Sequence, residues 1–118
     1  MEYVKKGEKI DGWTELLTMQ QFRRKGSPRQ LFDQLKGARE RRCPGLTEWR
    51  IMQEERNSVL YEWNTTAACE GQPVQWEVAR LIFGRNTGYR LAYTTRGQLT
   101  AETRATWTDW LRRLSLSR

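Results

Sequence analysis

Residues 47–83 read TEWRIMQEERNSVLYEWNTTAACEGQPVQWEVARLIF and contain three runs rich in β-branched and aromatic residues: 47–55, 58–67 and 74–83. A fourth run of the same kind follows at 88–96. Turn-forming residues separate the runs at Asn57-Ser58, Glu70-Gly71-Gln72-Pro73 and Gly84-Arg85-Asn86-Thr87-Gly88. Because parallel strands need a long crossover, these short turns predict four antiparallel strands in a meander.

One more strand and one helix are predicted before the meander. Residues 13–22 lack Gly and Pro and are rich in strand formers, which predicts a first strand. Ser27 then precedes Pro28, and Gln30 stands three residues after Ser27, which is the pattern of a capped helix start. Apolar residues follow at helical spacing, and the helix is expected to end before Cys43-Pro44-Gly45.

A second helix is predicted after Thr100, with an apolar stripe of Ala101, Trp107, Trp110, Leu111 and Leu114. The element order β-α-β-β-β-β-α predicts one α+β domain over residues 1–118, built on a single antiparallel sheet of about five strands. Residues 1–9 are expected to form a loose lead-in. Large apolar side chains on both sheet faces favour one helix on each face, over two helices on one face and an exposed aromatic face on the other.

The turns also predict which residues lie opposite one another in the sheet. A hairpin centred near Arg56 places Trp49 opposite Trp63. A second hairpin centred between Cys69 and Glu70 extends the same register into the third strand of the meander. This register predicts a tryptophan row on one face, either buried or available to a partner: Trp49, Trp63 and Trp76. It predicts a structural network on the other face: Arg50, Glu62 and Glu77.

Positive charge is concentrated in one segment of the chain. Lys and Arg number 21 against 14 Asp and Glu, a net charge of +7, and residues 23–42 hold eight positive and two negative charges, or +6. Such a cluster favours an acidic protein partner or, as an alternative, the phosphate backbone of a nucleic acid. A purely solvated helix face is the remaining interpretation. The candidate anion-binding residues are Arg23, Arg24, Lys25, Arg29, Lys36, Arg39, Arg41 and Arg42.

The chain contains no histidine. This absence removes Ser–His and Cys–His nucleophiles, histidine metal sites and the commonest general base. Glu62 and Glu77 are the candidate carboxylate pair of a hydrolase, but a structural network with Arg50 or Arg80 is the favoured interpretation. Gly-rich phosphate loops are also absent. We therefore expect no catalytic residue, no metal site, no cofactor and no enzymatic activity.

Cys43 and Cys69 are the two cysteines of the chain. They allow a disulfide, a redox pair or two buried thiols, and the lack of Cys-x-x-Cys spacing argues against redox catalysis. A disulfide would tie the end of the first helix to a hairpin tip and imply an oxidising compartment. The sequence has no apolar run of membrane-spanning length and no signal-peptide pattern, which predicts a cytoplasmic protein, or a periplasmic or secreted one if a leader was removed.

Three stretches, residues 12–18 (GWTELLT), 60–63 (LYEW) and 76–80 (WEVAR), resemble small uncharacterised bacterial domains. The order of elements resembles PsbP-like and Ran-binding Mog-like domains, which pack an antiparallel sheet between helices. The resemblance implies a non-catalytic accessory or adaptor protein, and it transfers no binding residue. Together with the charge, it predicts a binding module that docks an acidic or other anionic partner through the basic first helix.

Overall fold

The structure is a computed structural model that describes residues 2–4, 15–96 and 99–115. Its elements are β1 (Glu2–Val4), β2 (Glu15–Arg23), α1 (Pro28–Arg42), β3 (Thr47–Glu55), β4 (Ser58–Thr65), β5 (Trp76–Phe83), β6 (Thr87–Thr95) and α2 (Ala101–Arg112). The predicted α+β class and the order from β2 to α2 are confirmed. The short strand β1 replaces part of the predicted lead-in; the rest of the lead-in, and residues 13 and 14 of the predicted first strand, lie outside the described residues.

Both helices begin where the sequence places their caps. Ser27 and Gln30 form a reciprocal capping box, in which each backbone N–H donates to the other side chain, at 2.9 Å from Ser27 and 3.2 Å from Gln30. At α2 the backbone N–H of Thr103 donates to the Thr100 hydroxyl at 3.0 Å. These side chains satisfy backbone groups that a helix start otherwise leaves without a partner.

The described strands form one antiparallel sheet in the order β1-β2-β6-β5-β4-β3. The first long strand, β2, pairs with the last one, β6, from Glu15 opposite Thr95 to Arg23 opposite Thr87. The four-strand meander therefore runs from the far edge β3 back to β2, and α1 crosses one face to connect the two.

Each sheet face is covered by one helix, as predicted. Phe32 of α1 packs on a buried cluster of Val59, Tyr61, Trp63, Ala79, Leu81, Phe83 and Ala92. Leu111 of α2 packs on the opposite face, on a cluster of Leu60, Trp76, Val78 and Tyr93. Because both faces are covered, β4 and β5 are buried along almost their whole length.

The predicted register is correct for the β3–β4 pair from Trp49 to Ile51, up to a β-bulge between Ile51 and Gln53, and is wrong for the β4–β5 pair. Trp49 lies opposite Trp63 and Arg50 opposite Glu62, as expected, and the two indole rings stack at 5.2 Å. In the β4–β5 pair, however, Trp63 lies opposite Glu77, one residue away from the prediction. A shift of one residue moves a strand's side chains to the other face. Trp76 therefore leaves the tryptophan row and packs beside Tyr93 under α2.

The cause of the shift lies in the loop between β4 and β5. Glu70 and Gly71 both have positive φ, 53° and 75°, as the two central residues of a tight hairpin turn do. This turn pairs Cys69 with Gln72, whereas the strands on either side pair with a different offset, such as Asn64 with Trp76. Between the turn and the paired strands, the β4 side therefore has one residue more than the β5 side. The spacing of turn residues in the sequence does not reveal this offset.

A disulfide joins Cys43 and Cys69, so the bridged alternative among the three cysteine interpretations is the one that the structure contains. Cys43 caps the end of α1, and Cys69 lies at the tip of the β4–β5 hairpin. The bridge spans 26 residues of sequence and fixes the end of the helix to the loop that sets the β4–β5 register.

We expect the double substitution Cys43→Ala and Cys69→Ala to lower the free energy of unfolding by about 2–4 kcal/mol, because the unfolded chain loses a covalent constraint. Urea denaturation of both proteins measures the difference. Reductant should destabilise the natural protein by a similar amount and leave the double variant unchanged. Equal stability of the oxidised natural protein and the variant would contradict a bridge that constrains the fold.

Candidate anion-binding cleft

Glu77 is a buried carboxylate on the α1 face. It accepts hydrogen bonds from Trp63 Nε1 at 2.7 Å, from Thr94 Oγ1 at 2.7 Å and from Arg90 Nη2 at 2.9 Å. Burial lowers the pKa of Arg90, but Glu77 and Tyr61 outweigh burial, and the pKa is raised. Burial, and the negative charge of Glu77, raise the pKa of Tyr61 to about 12. Glu77 and Arg90 thus form a buried ion pair, in which Arg90 Nε has no hydrogen-bond partner among the described residues.

Glu62 occupies the corresponding place on the α2 face. It accepts from Trp76 Nε1 at 3.0 Å and from Arg104 Nε at 3.0 Å, with a second bond from Arg104 Nη2. Arg50 reaches Glu62 only at 3.8 Å, and its side chain is 69% exposed. Of the predicted network of Arg50, Glu62 and Glu77, the Arg50–Glu62 pair is present, whereas Glu77 is not part of it, because the one-residue shift places the two carboxylates on opposite faces. They cannot act as a pair on one substrate.

The basic segment does not form one surface. At about 100° per residue, Arg39 points with Phe32 towards the sheet, and Arg41 points away from it. The Arg39 guanidinium lies 4.7 Å from the centre of the Trp63 ring, and burial, with a contribution from Arg42, lowers its pKa. Arg29 pairs with Asp33 at 3.2 Å and with Glu54 at 3.1 Å. Both cations are therefore already engaged within the fold.

The remaining charges of the segment stand at the two ends of α1 or along its side. The helix has 15 residues and is therefore about 22 Å long. Arg23, Arg24 and Lys25 precede it, Arg41 and Arg42 end it, and Lys36 lies between the two groups. An extended partner would be needed to contact both ends at once.

Arg24 lies where three segments meet. Its guanidinium donates to the carbonyl of Gly84 at 2.9 Å and to Asn57 Oδ1 at 3.3 Å, and it lies 5.5 Å from the centre of the Phe83 ring. Its backbone N–H donates to the carbonyl of Asn86 at 2.9 Å. Arg24 thereby connects the start of α1 to the β3–β4 turn and to the β5–β6 turn.

A cleft of about 950 Å³ opens beside Arg24 at this end of the sheet. Four arginines and one glutamate contribute to its lining, a net charge of +3 from charged side chains: Arg24, Arg56, Arg80, Arg85 and Glu55. We call it the arginine cleft. Sequence reasoning had assigned Arg24 to a basic helix and Arg80 to a structural network, and it missed Arg56 and Arg85. One signal was present, since alternate turns of a meander lie at the same end of a sheet, and each of these turns carries an arginine.

Arg80 forms the inner wall of the cleft. Its Nη1 donates to the carbonyls of Leu111, Arg112 and Leu114, at 2.8, 2.7 and 2.8 Å, which lie at the end of α2 and just beyond it. The pKa of Arg80 is lowered, because the effect of burial outweighs the opposite effect of the Glu55 charge. The negative end of the helix dipole, together with the charge of Glu55, therefore compensates the buried cation.

Arg56 and Arg85 form the exposed rim of the cleft. The ion pairs found within the described part of the chain involve other arginines: Arg29, Arg50, Arg90, Arg104 and Arg112. Within the described part of the chain, none of the four cleft arginines forms an ion pair with a carboxylate. At Arg24, Arg56 and Arg85 the cleft therefore presents positive charge that no carboxylate of the described residues pairs with.

Two further findings concern the described residues as a set. Neither α1 nor α2 has the length and apolar character of a helix that crosses a membrane. No group of three or more potential metal-ligating side chains (His, Cys, Asp or Glu) occurs among residues 15–96 and 99–115.

Comparison of the sequence with protein-family models and with curated proteins finds no match. The resemblance to PsbP-like and Mog-like domains therefore stays a prediction. The residues of the cleft, and their contacts, are the basis for interpreting what this site binds.

We expect Arg80→Met to lower the free energy of unfolding by about 2–3 kcal/mol, because the carbonyls at the end of α2 lose a charged donor. Arg85→Met is the matched control on the adjoining turn, and it should change stability by no more than about 0.5 kcal/mol. Urea denaturation followed by circular dichroism measures both. Equal destabilisation by the two substitutions would contradict the role of Arg80 as a helix anchor.

Proposed function

We propose that this chain is a non-catalytic binding module that docks an acidic protein partner in the arginine cleft. One observation supports the proposal above the others. Four guanidinium groups from separate segments line one concave surface, with a single carboxylate among the lining residues. Guanidinium groups bind carboxylates through paired, charge-assisted hydrogen bonds, which makes an acidic side chain the natural ligand.

The inner arginines are held in place before any partner arrives. Arg24 is fixed by neutral acceptors on two turns, and Arg80 by the carbonyls of α2. Each guanidinium has five N–H donors, so Arg24 keeps donors for a ligand. A side chain that is already ordered loses little conformational entropy on binding, which increases affinity. The exposed Arg56 and Arg85 provide the long-range attraction that guides an acidic partner to the cleft.

The proposal changes the location of the predicted docking surface, but not the charge of the partner. Arg24 belongs both to the predicted basic cluster and to the cleft, and Arg23 and Lys25 stand next to it in the sequence. Arg41 and Arg42 lie at the far end of α1 and serve as a comparison with Arg56 and Arg85, because all four are exposed.

Nucleic-acid binding is less well supported than protein binding. Single-strand binders need exposed aromatic faces beside their positive charges. Phe83, the aromatic ring that lines the cleft, is buried, and the Arg24 guanidinium lies over it. A carboxylate-based hydrolase is also poorly supported, since Glu62 and Glu77 lie on opposite faces and each is paired with an arginine.

We expect Arg56→Glu with Arg85→Glu to weaken binding of a short labelled polyglutamate peptide at least about tenfold, measured by fluorescence anisotropy at low and physiological salt. The control, Arg41→Glu with Arg42→Glu, changes the net charge equally and should weaken binding no more than about threefold.

Equal weakening by the two pairs would mean that net charge alone attracts the peptide, and would contradict the cleft as the site. A stronger effect of the Arg41 and Arg42 pair would favour the basic helix instead. Tighter binding of a labelled oligothymidine than of the peptide, with a steep loss of affinity in salt, would replace the acidic protein by a nucleic acid.

A further inference from the structure

An apolar groove of about 380 Å³ continues from the arginine cleft across the α2 face. The two surfaces share the side chains of Ile82, Leu114 and Ser115. On its other side the groove is lined by residues of β2 and β6, chiefly Met19, Tyr89 and Leu91. We call it the apolar groove.

Strand pairing explains why the charged and apolar surfaces adjoin. Arg80 lies directly opposite Leu91, and Leu91 lies directly opposite Met19. Ile82 likewise lies opposite Tyr89. Residues paired in this way have Cβ atoms about 4.5–5.5 Å apart, so the inner arginine of the cleft and the wall of the groove are immediate neighbours.

We infer that the acidic segment recognised by this chain carries a large apolar side chain next to its carboxylates, which enters the apolar groove while the carboxylates bind the arginines. The inference rests on the proposed function and adds the chemistry of the partner segment. The distance of about 4.5–5.5 Å between paired strand residues is spanned by about two residues of an extended peptide, so one short segment can occupy both surfaces.

The shape and charge of the surface favour a peptide over other occupants. The groove is small for a ligand site, which spans about 300–1,000 Å³, and Met19 on its wall is 42% exposed. An acyl chain is bound best where most of its surface is buried, whereas a peptide can leave one side in water. A second copy of this chain would bring a net charge of +7 to a basic cleft, which opposes self-association.

The test compares two labelled peptides of equal length and equal charge: a reference peptide of Glu and Gly, and the same peptide with one Gly replaced by Leu. Polyglutamate serves as a third probe, which carries no apolar side chain. The natural protein should bind the Leu peptide about tenfold more tightly than its Gly reference, because one apolar side chain is buried. Met19→Ser with Tyr89→Ser should abolish this preference and retain binding of polyglutamate. Arg56→Glu with Arg85→Glu should weaken binding of every peptide.

The experiment distinguishes failure of the proposed function from failure of the inference about the apolar groove. Binding of polyglutamate without any preference for Leu overturns the inference and leaves the proposed function intact. Absence of binding by all peptides overturns both. A Leu preference that survives Met19→Ser with Tyr89→Ser overturns the groove as the site. If that double variant does not fold, Met19→Gln is measured in its place and interpreted in the same way.

Two further measurements exclude other occupants. Binding to phosphatidylglycerol vesicles that depends on Met19 and Tyr89, in the absence of a Leu preference, would assign the groove to lipid and overturn the inference. Sedimentation of a dimer that the same two substitutions dissociate would assign it to a second copy of the chain, and would also overturn it. A monomer that does not bind vesicles, combined with the Leu preference, supports the inference.

Discussion

The pairing of β4 with β5 determines which face of the sheet Trp76, Glu77 and Arg80 occupy, and the hydrogen bond from Trp63 Nε1 to Glu77 marks its register. With Trp63 opposite Glu77, that carboxylate lies under α1, where Arg90 can neutralise it. Because side chains alternate along a strand, the β5 residues an odd number of positions from Glu77 face α2. Arg80, three positions from Glu77, is one of them. A register one residue away would exchange the two faces and place Arg80 against α1.

The arginine cleft follows from this arrangement together with the topology. Antiparallel pairing puts the β3–β4 turn, the β5–β6 turn and the end of β2 at one end of the sheet. Arg24 connects these segments through neutral acceptors, and Arg80 connects the end of α2 to the same place. The groups that stabilise this end of the fold are thus the groups that give it positive charge. Structure and proposed binding share the same side chains.

Local signals in the sequence predicted much of the fold. The helix caps formed by Ser27 with Gln30 and by Thr100 act within a few residues, so their structural effects can be read from spacing. The β4–β5 register was missed because Glu70 and Gly71 form a tight turn whose offset differs from that of the strands. The cleft was missed because Arg56, Arg80 and Arg85 are single residues in separate segments. The basic segment was conspicuous in sequence, but helical geometry turns its cations in different directions.

The most direct test of this account is a nuclear Overhauser experiment on the oxidised protein that identifies the backbone protons in contact between β4 and β5. The account predicts contacts that pair Trp63 with Glu77 and Tyr61 with Ala79, together with contacts between the Arg80 side chain and the end of α2. Contacts that pair Trp63 with Trp76 and Glu62 with Glu77 would contradict it, since Arg80 would then lie on the face covered by α1.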